Sequence, residues 1–350
     1  MNFLKIVLSA LTLSFLGACA GNLSIGARYH NQGDYEKAIE YFSKALSDKS
    51  NSYEYPPHVI YNIRGISYFK NSQYDQAIAD YSKAISLKPD YAEAHHNRGL
   101  AYEYQQEYDQ ALSNFDEAIN LNPEFSHAYV SRGSLFETLG RNDQAIAEYD
   151  RAIALDPNNV TAYISRGQFY WNIKQYDLAL KNFDSAIARN PLGYSPYIQR
   201  GYANFYLGRN IEAANDFENS AINEEDVTLS IYATIWRYLA LERQGKNGKT
   251  ILKEISRGFD LQEWPGLLIS LYLGGISPRE VIDKSEDNDK TLESLKKCFA
   301  YFHLGQFYLL QEKKSLAIDM FRKTASFEDC PLIELPAALE ELERMRLLPT

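Results

Sequence analysis

The sequence predicts an all-α protein, an array of helical hairpins stacked in series, and three observations carry that prediction. First, the pair Arg64-Gly65 recurs as Arg98-Gly99, Arg132-Gly133, Arg166-Gly167 and Arg200-Gly201, each step being 34 residues. A fixed period of this length is the sign of a repeat architecture. Second, the same frame of small and aromatic residues surrounds each pair: Tyr61, Gly65, Tyr68, Ala77, Tyr81 and Ala84, then His95, Gly99, Tyr102, Ala111, Phe115 and Ala118. Small residues let two antiparallel helices approach closely, and aromatic rings one turn on fill the space between neighbouring hairpins. Third, Pro89, Pro123, Pro157 and Pro191 keep the same interval, where a residue without an amide hydrogen ends a helix and turns the chain into the next unit.

The elements follow in order. Lys5 and the apolar run Ile6 to Leu16, broken only by Ser9, Thr12 and Ser14, form a segment too short to span a bilayer and suited to a signal peptide. It ends Leu16-Gly17-Ala18-Cys19, which resembles the lipobox of bacterial lipoproteins. That resemblance implies removal of residues 1–18, a diacylglycerol on the Cys19 thiol and acylation of its amine, with palmitate among the expected lipids. Two or more acyl chains hold a protein stably at a membrane. The alternative is an ordinary signal peptide with Cys19 beside the cut by chance. Cleavage would take the formal charge from −10 to −11. Ala20 follows Cys19, and an aspartate there commonly signals inner-membrane retention in Gram-negative lipoproteins. Its absence points to the outer membrane, on the periplasmic face.

Residues 19–225 read as six hairpin units. The first has Gly26, Tyr29, Ala38, Phe42 and Ala45, and its glycine lies 39 rather than 34 residues before the next. The extra five fall near Asp48 to Pro57, a polar loop ending in proline. Counting back makes Cys19 the first residue of this unit's first helix, so the array is expected to begin at the lipid. The fourth and fifth units keep Gly133, Phe136, Ala145, Tyr149, Ala152 and Gly167, Tyr170, Ala179, Phe183, Ala186. The sixth keeps Tyr197, Gly201, Ala213 and Phe217 but has Ser220 and Glu225 for Ala and Pro.

Over residues 226–350 the pattern weakens. Ile231 to Arg243 and Thr250 to Phe259 read as a hairpin broken at Gly245-Lys246-Asn247-Gly248. Leu267 to Leu273 is an apolar run closed by Gly274-Gly275, and Pro278 opens a helix over 279–284. The frame returns with Gly305, Tyr308, Ala317 and Phe321, 104 residues after Gly201 and close to three periods. Leu335 to Leu348 reads as a C-terminal capping helix, which such arrays need to cover their last apolar face.

The period and frame resemble the tetratricopeptide repeat (TPR), which implies a solenoid of helical hairpins wound as a right-handed superhelix. The C-terminal part is more specific. Trp236-Arg237-Tyr238-Leu239, Trp264, Leu271-Tyr272-Leu273-Gly274-Gly275-Ile276-Ser277 and Tyr301-Phe302-His303-Leu304-Gly305-Gln306-Phe307-Tyr308 resemble the NlpI-type lipoproteins of Gram-negative bacteria. That resemblance covers residues 226–350 and the lipobox. It implies an outer-membrane adaptor that docks a periplasmic protease and brings it murein hydrolase clients. The first half departs from the pattern by carrying more regular repeats.

Charge and motif narrow the function further. The net charge of −10 argues against nucleic acid and gives no support to adhesion on anionic lipid. The sequence shows no Gly-rich phosphate loop, no paired zinc-type cysteines and no His-Glu-x-x-His, so no enzyme, metal or cofactor is expected. His95-His96 are adjacent in a helix and point about 100° apart, which suits no shared ion. The arginine ladder Arg64, Arg98, Arg132, Arg166 and Arg200 invites a carboxylate-gripping reading. The structural reading is preferred: each stem between helices, paired with acids such as Asp116, Asp150 and Asp184, also 34 apart.

First helices of a TPR array line its concave face. That register assigns a partner-binding groove to Asn62, His96, Tyr104, Gln168, Trp171, Asn172, Tyr202, Phe205 and Tyr206. Aromatic and amide side chains suit extended or helical peptides, and the Lys and Asn pattern of carboxylate-clamp repeats is missing. Cys298 and Cys330 lie at ends of antiparallel helices and are a candidate disulfide in an oxidising compartment; the alternative is two buried thiols. The leading functional expectation is a lipid-anchored scaffold for envelope proteins, with self-association possible. The alternative is an assembly lipoprotein for a pilus or secretion complex.

Overall fold

In each repeat a glycine of the first helix faces an aromatic ring of the second, sixteen residues on. In the computed structural model, which describes residues 21–47, 55–222, 224, 226–327, 330 and 334–347, these contacts fix each hairpin that keeps the repeat frame. A methyl group built on Gly65 would stand 2.7 Å from the Tyr81 ring, on Gly99 2.7 Å from Phe115, on Gly167 2.6 Å from Phe183 and on Gly305 2.5 Å from Phe321. Any side chain there would force the helices apart. The flanking alanines, Ala77 and Ala84, Ala111 and Ala118, Ala145 and Ala152, Ala179 and Ala186, are fully buried.

The turn between the paired helices is also repeated. Gly33, Ser72, Gln106, Gly140, Lys174, Gly208 and Glu312 hold φ between 58° and 79°. The next amide donates back across the turn, from Gln73 to the Tyr68 carbonyl at 2.9 Å and from Lys313 to that of Tyr308 at 2.9 Å. This is the Schellman closure, whose left-handed residue is usually glycine. Four of the seven are not glycine, so the hairpin contacts hold a backbone conformation that these residues resist.

All described elements are helical, with no strand among the described residues. They divide into two compact units, residues 1–165 and 166–350, and each is taken by itself. The first holds α1 (Asn22–Asn31), α2 (Tyr35–Ser47), α3 (Pro57–Lys70), α4 (Tyr74–Leu87), α5 (Ala92–Tyr104), α6 (Tyr108–Leu121), α7 (Ser126–Thr138), α8 (Asn142–Leu155) and the start of α9 (Val160–Asn172). Its core is a series of small clusters, such as Ala77, Tyr81 and Ala101, or Ala111, Phe115 and Leu135.

The second unit holds the rest of α9, then α10 (Tyr176–Arg189), α11 (Tyr194–Tyr206), α12 (Asn210–Ile222), α13 (Val227–Arg243), α14 (Gly248–Ile255), α15 (Gly266–Leu273), α16 (Pro278–Asp283), α17 (Lys290–Leu310), α18 (Lys314–Thr324) and α19 (Glu334–Leu347). Here one large cluster spans residues from Ile198 to Ala338, centred on Trp236. The Trp236 ring meets Tyr202 at 4.9 Å, Phe205 at 5.2 Å, Phe302 at 5.4 Å and Phe217 at 6.0 Å. Where the repeat frame lapses, caps start the helices: Asp226 accepts from the Thr228 and Leu229 amides, Asp289 from those of Thr291 and Leu292, and Ser277 forms a capping box with Glu280.

One boundary is corrected. The first repeat's helix starts at Asn22, after an extended Gly21 (φ −60°, ψ 163°), and not at Cys19, because Gly21 sits at the N-cap. Residues 1–18 and Cys19 lie outside the described residues. The terminal helix does cover the last hairpin, with Ala337 and Ala338 packed in the cluster of Phe302, Ala317 and Phe321.

Candidate protein-binding site

The arginine ladder is internal masonry. Each guanidinium bonds the second helix of its own hairpin, sixteen residues on: Arg64 to both Asp80 oxygens at 2.7 Å, Arg98 to Asn114 at 2.9 Å, Arg132 to Glu148 at 2.8 Å, Arg166 to Asn182 at 2.8 Å, and Arg200 to Asp216. It also reaches back to the preceding hairpin. Arg98 donates to Ser82 at 3.0 Å, Arg132 to Asp116 at 2.7 Å and Arg200 to Asp184 at 2.6 Å. Arg64 reaches Ser43, 21 residues back, because five residues are inserted between those units. Asp116 and Asp184 thus serve as expected. The sequence reading missed the acceptor at the other end of each bridge, although Asp80, Asn114, Glu148, Asn182 and Asp216 are themselves 34 apart.

In the first unit, Asn62 and His96 are buried rather than presented. Asn62 accepts from Asn97 at 3.0 Å, and the His96 Nε2 lies 2.9 Å from the Ser131 hydroxyl. Burial lowers His96 from its ordinary 6.5 to about 4, so the ring is a neutral bridge between α5 and α7. His95 takes a separate partner, the Pro89 carbonyl at 3.2 Å. Tyr104 is different. It is 63% exposed at the end of α5, stacked on Tyr74 at 5.3 Å and edge-on to Phe69 at 5.0 Å. Two rings brace a third whose outer face stays open. Beside it, burial raises Glu103 to about 7, while Glu137 accepts from the Tyr149 hydroxyl at 3.2 Å. Neither carboxylate was singled out from the sequence; both occupy the repeat position four residues after the glycine.

In the second unit, Gln168 is half-buried, Asn172 exposed, and Trp171 half-buried between Tyr176 at 4.7 Å and Tyr206 at 6.3 Å. Tyr202, Phe205 and Tyr206 are buried, a correction to their expected place in an open groove. The reason is α13: its Trp236 inserts among all three, and no residue of the regular frame signals a tryptophan there. The nine groove residues therefore do not form one exposed surface. Cys298 and Cys330 are bonded, with Cα atoms 5.7 Å apart, within the ordinary disulfide range.

The sequence matches known families over the regular part. Profiles described as TPR repeat and tetratricopeptide repeat match residues 65–106, 96–160, and 23–47 with 160–191. Protein O-mannosyl-transferase tmtc2 of Xenopus laevis is 30% identical over 82 residues, which is 23% of this chain and 9% of that protein. The human counterpart matches over the same shares. Among solved structures, MamA is 28% identical, over 48% of this chain and 95% of that one, with a TM-score of 0.39. PilW, described as a type IV pilus biogenesis factor, is 19% identical over 59% and 94%, with a TM-score of 0.49. No helix among the described residues is long and apolar enough to cross a membrane. Residues 23–47 and 65–191 of the chain thus match tetratricopeptide repeat models.

Proposed function

We propose that this chain is a lipid-anchored adaptor at the periplasmic face of the outer membrane, holding a protease or murein hydrolase through its repeats. Tyr104 carries the binding half of this reading. A tyrosine 63% exposed, immobilised by two neighbouring rings, offers a large contact area whose side-chain entropy is already spent. Such rigid aromatic anchors dominate binding energy at protein interfaces. The location rests on the lipobox-like Leu16-Gly17-Ala18-Cys19 and is supported by the Cys298–Cys330 bond, since lasting disulfides belong to oxidising compartments.

The test is capture of partners by the full-length protein from detergent-solubilised envelope, alongside fractionation of a Cys19→Ala variant. Recovery of proteases and murein hydrolases, with the variant lost from the membrane fraction, supports the adaptor. Recovery of pilus or secretion subunits in their place replaces this reading with an assembly factor. A Cys19→Ala protein that stays in the outer membrane removes the anchor.

A further inference from the structure

The helix α19 does more than close the array. Its first turn packs Ala337 and Ala338 against the last hairpin. Further along, Glu341 pairs with Arg243 of α13 and accepts from Gln306 of α17 at 3.2 Å. Beyond that, Arg344 donates to the Tyr206 carbonyl at the end of α11, and Glu343 lies 3.9 Å from Lys174, just past α9. Read along α19, the partners step backwards through α17, α13 and α11, each a first helix of its hairpin. Fourteen residues of helix reach about 21 Å, enough to cross two or three helices packed 8–10 Å apart.

The contact itself is unlike the core beneath it. In α15, of eight residues, seven are buried; among the described side chains of α19 only Ala337, Ala338 and Glu341 are. Leu342 and Met345 are partly covered on the same face, while Leu339 is 52% exposed on the other. The seat is polar at its centre. The Arg243 guanidinium lies 3.9 Å over the Phe205 ring and meets both Gln306 and Glu341. A cation held between an aromatic face and an amide is a fixed receptor for one carboxylate. Laying an amphipathic helix across such a surface is a standard mode of peptide recognition.

Resting on the reading of this chain as a protein-binding scaffold, we propose that α19 is an intramolecular ligand. It fills a helix-binding seat on the first-helix face of the second unit. The external partner that this seat fits is an amphipathic helix bearing two adjacent small residues and, one turn on, a carboxylate. Cys330 is bonded to Cys298 of α17 a few residues before α19 begins, so the tether holds the helix near its seat at about millimolar effective concentration. A partner must outcompete that.

The direct test uses the full-length, disulfide-intact protein and a fluorescent peptide with the sequence of residues 334–350, followed by anisotropy. Wild-type protein should bind it weakly. Glu341→Arg sets two cations against each other, releases the tethered helix, and should tighten peptide binding at least tenfold; adding Arg243→Glu should abolish that gain. No gain in Glu341→Arg overturns the proposal. A second measurement covers the case in which that variant fails to fold. In hydrogen exchange of the wild-type protein, α19 amides should open while those of α13 and α17 remain protected. Exchange of all three only in a single opening makes α19 a fixed part of the core and also overturns it. Neither measurement uses an envelope partner, so an empty capture experiment bears on the adaptor reading alone and these results on α19 alone.

Discussion

Tyr104 and Tyr206 occupy the same position of the repeat, five residues after Gly99 and Gly201, and meet different fates. Tyr104 ends α5 with 63% of its surface open, whereas Tyr206 ends α11 with 7%. The local backbone is alike, since Gln106 and Gly208 hold the same left-handed turn just beyond. The difference comes from what lies across them. Tyr104 packs its ring on Phe69 and Tyr74 of the preceding hairpin. Tyr206 faces Trp236 of α13, and its carbonyl is taken by Arg344 of α19. Repeat position sets where a side chain points, and the elements added by the irregular sequence set whether anything covers it.

That contrast makes the second unit the more vulnerable one. Trp236→Ala should produce the largest loss, about 3–5 kcal/mol for a fully buried ring, seen as a lower melting temperature. Because the ring touches α11, α12 and α17, protection should fall in all of them together. A loss confined to α13 would mean that the cluster is divisible like those of the first unit. Arg132→Ala should cost about 2 kcal/mol, since it strands the half-buried Glu148 without its cation. Its damage should stay in α6, α7 and α8. Spread beyond those helices would remove the distinction between the two regions.

Acid should weaken both units through buried histidines. Burial holds His30 and His96 near 4, and His303 near 3, against an ordinary 6.5. The unfolded chain therefore binds more protons than the folded one below about pH 6.5. Stability is complete above that value and is lost as pH falls towards 4, then 3. Glu103 works in the opposite sense: burial raises it from 4.5 to about 7, so its contribution falls as pH rises between those values. Asp216 is raised by burial as well, but all six histidines are lowered and leave a net loss in acid, measured as a falling melting temperature from pH 7 to 5. His96→Gln should flatten that slope. A smaller effect is a gain: Lys174→Gly relieves a φ of 61° and should add roughly 0.5–1 kcal/mol.

Much of this was legible in the sequence, for a physical reason. A hairpin that repeats must repeat its contacts, so Gly99 with Phe115 and Arg132 with Asp116 announce themselves by their spacing. The C-terminal ends of α13 and α15 were readable from Gly245 and Gly274, and α19 lies within one residue of the expected 335–348, whereas α13 begins at Val227 and not at the expected Ile231. What spacing does not encode is which distant element lies over a given helix. Arg243 with Glu341 and Arg344 at Tyr206 join residues 98 and 138 positions apart with no period to mark them, and Trp236 stands one period after Tyr202 without any frame residue to announce a tryptophan. For that reason the register gave both tyrosines the same expected exposure, whereas Tyr104 is open and Tyr206 is buried.

The comparison of these two tyrosines also supplies the most direct test of the account. Tyr104→Asp and Tyr206→Asp should be melted and offered the same solubilised envelope. Tyr104→Asp is predicted to change stability by under about 0.5 kcal/mol, as an exposed substitution should, and to lose captured partners; Tyr206→Asp is predicted to lower the melting temperature sharply. A Tyr104→Asp protein that melts as wild type and retains every partner would contradict the claim that this open aromatic face is where the scaffold binds.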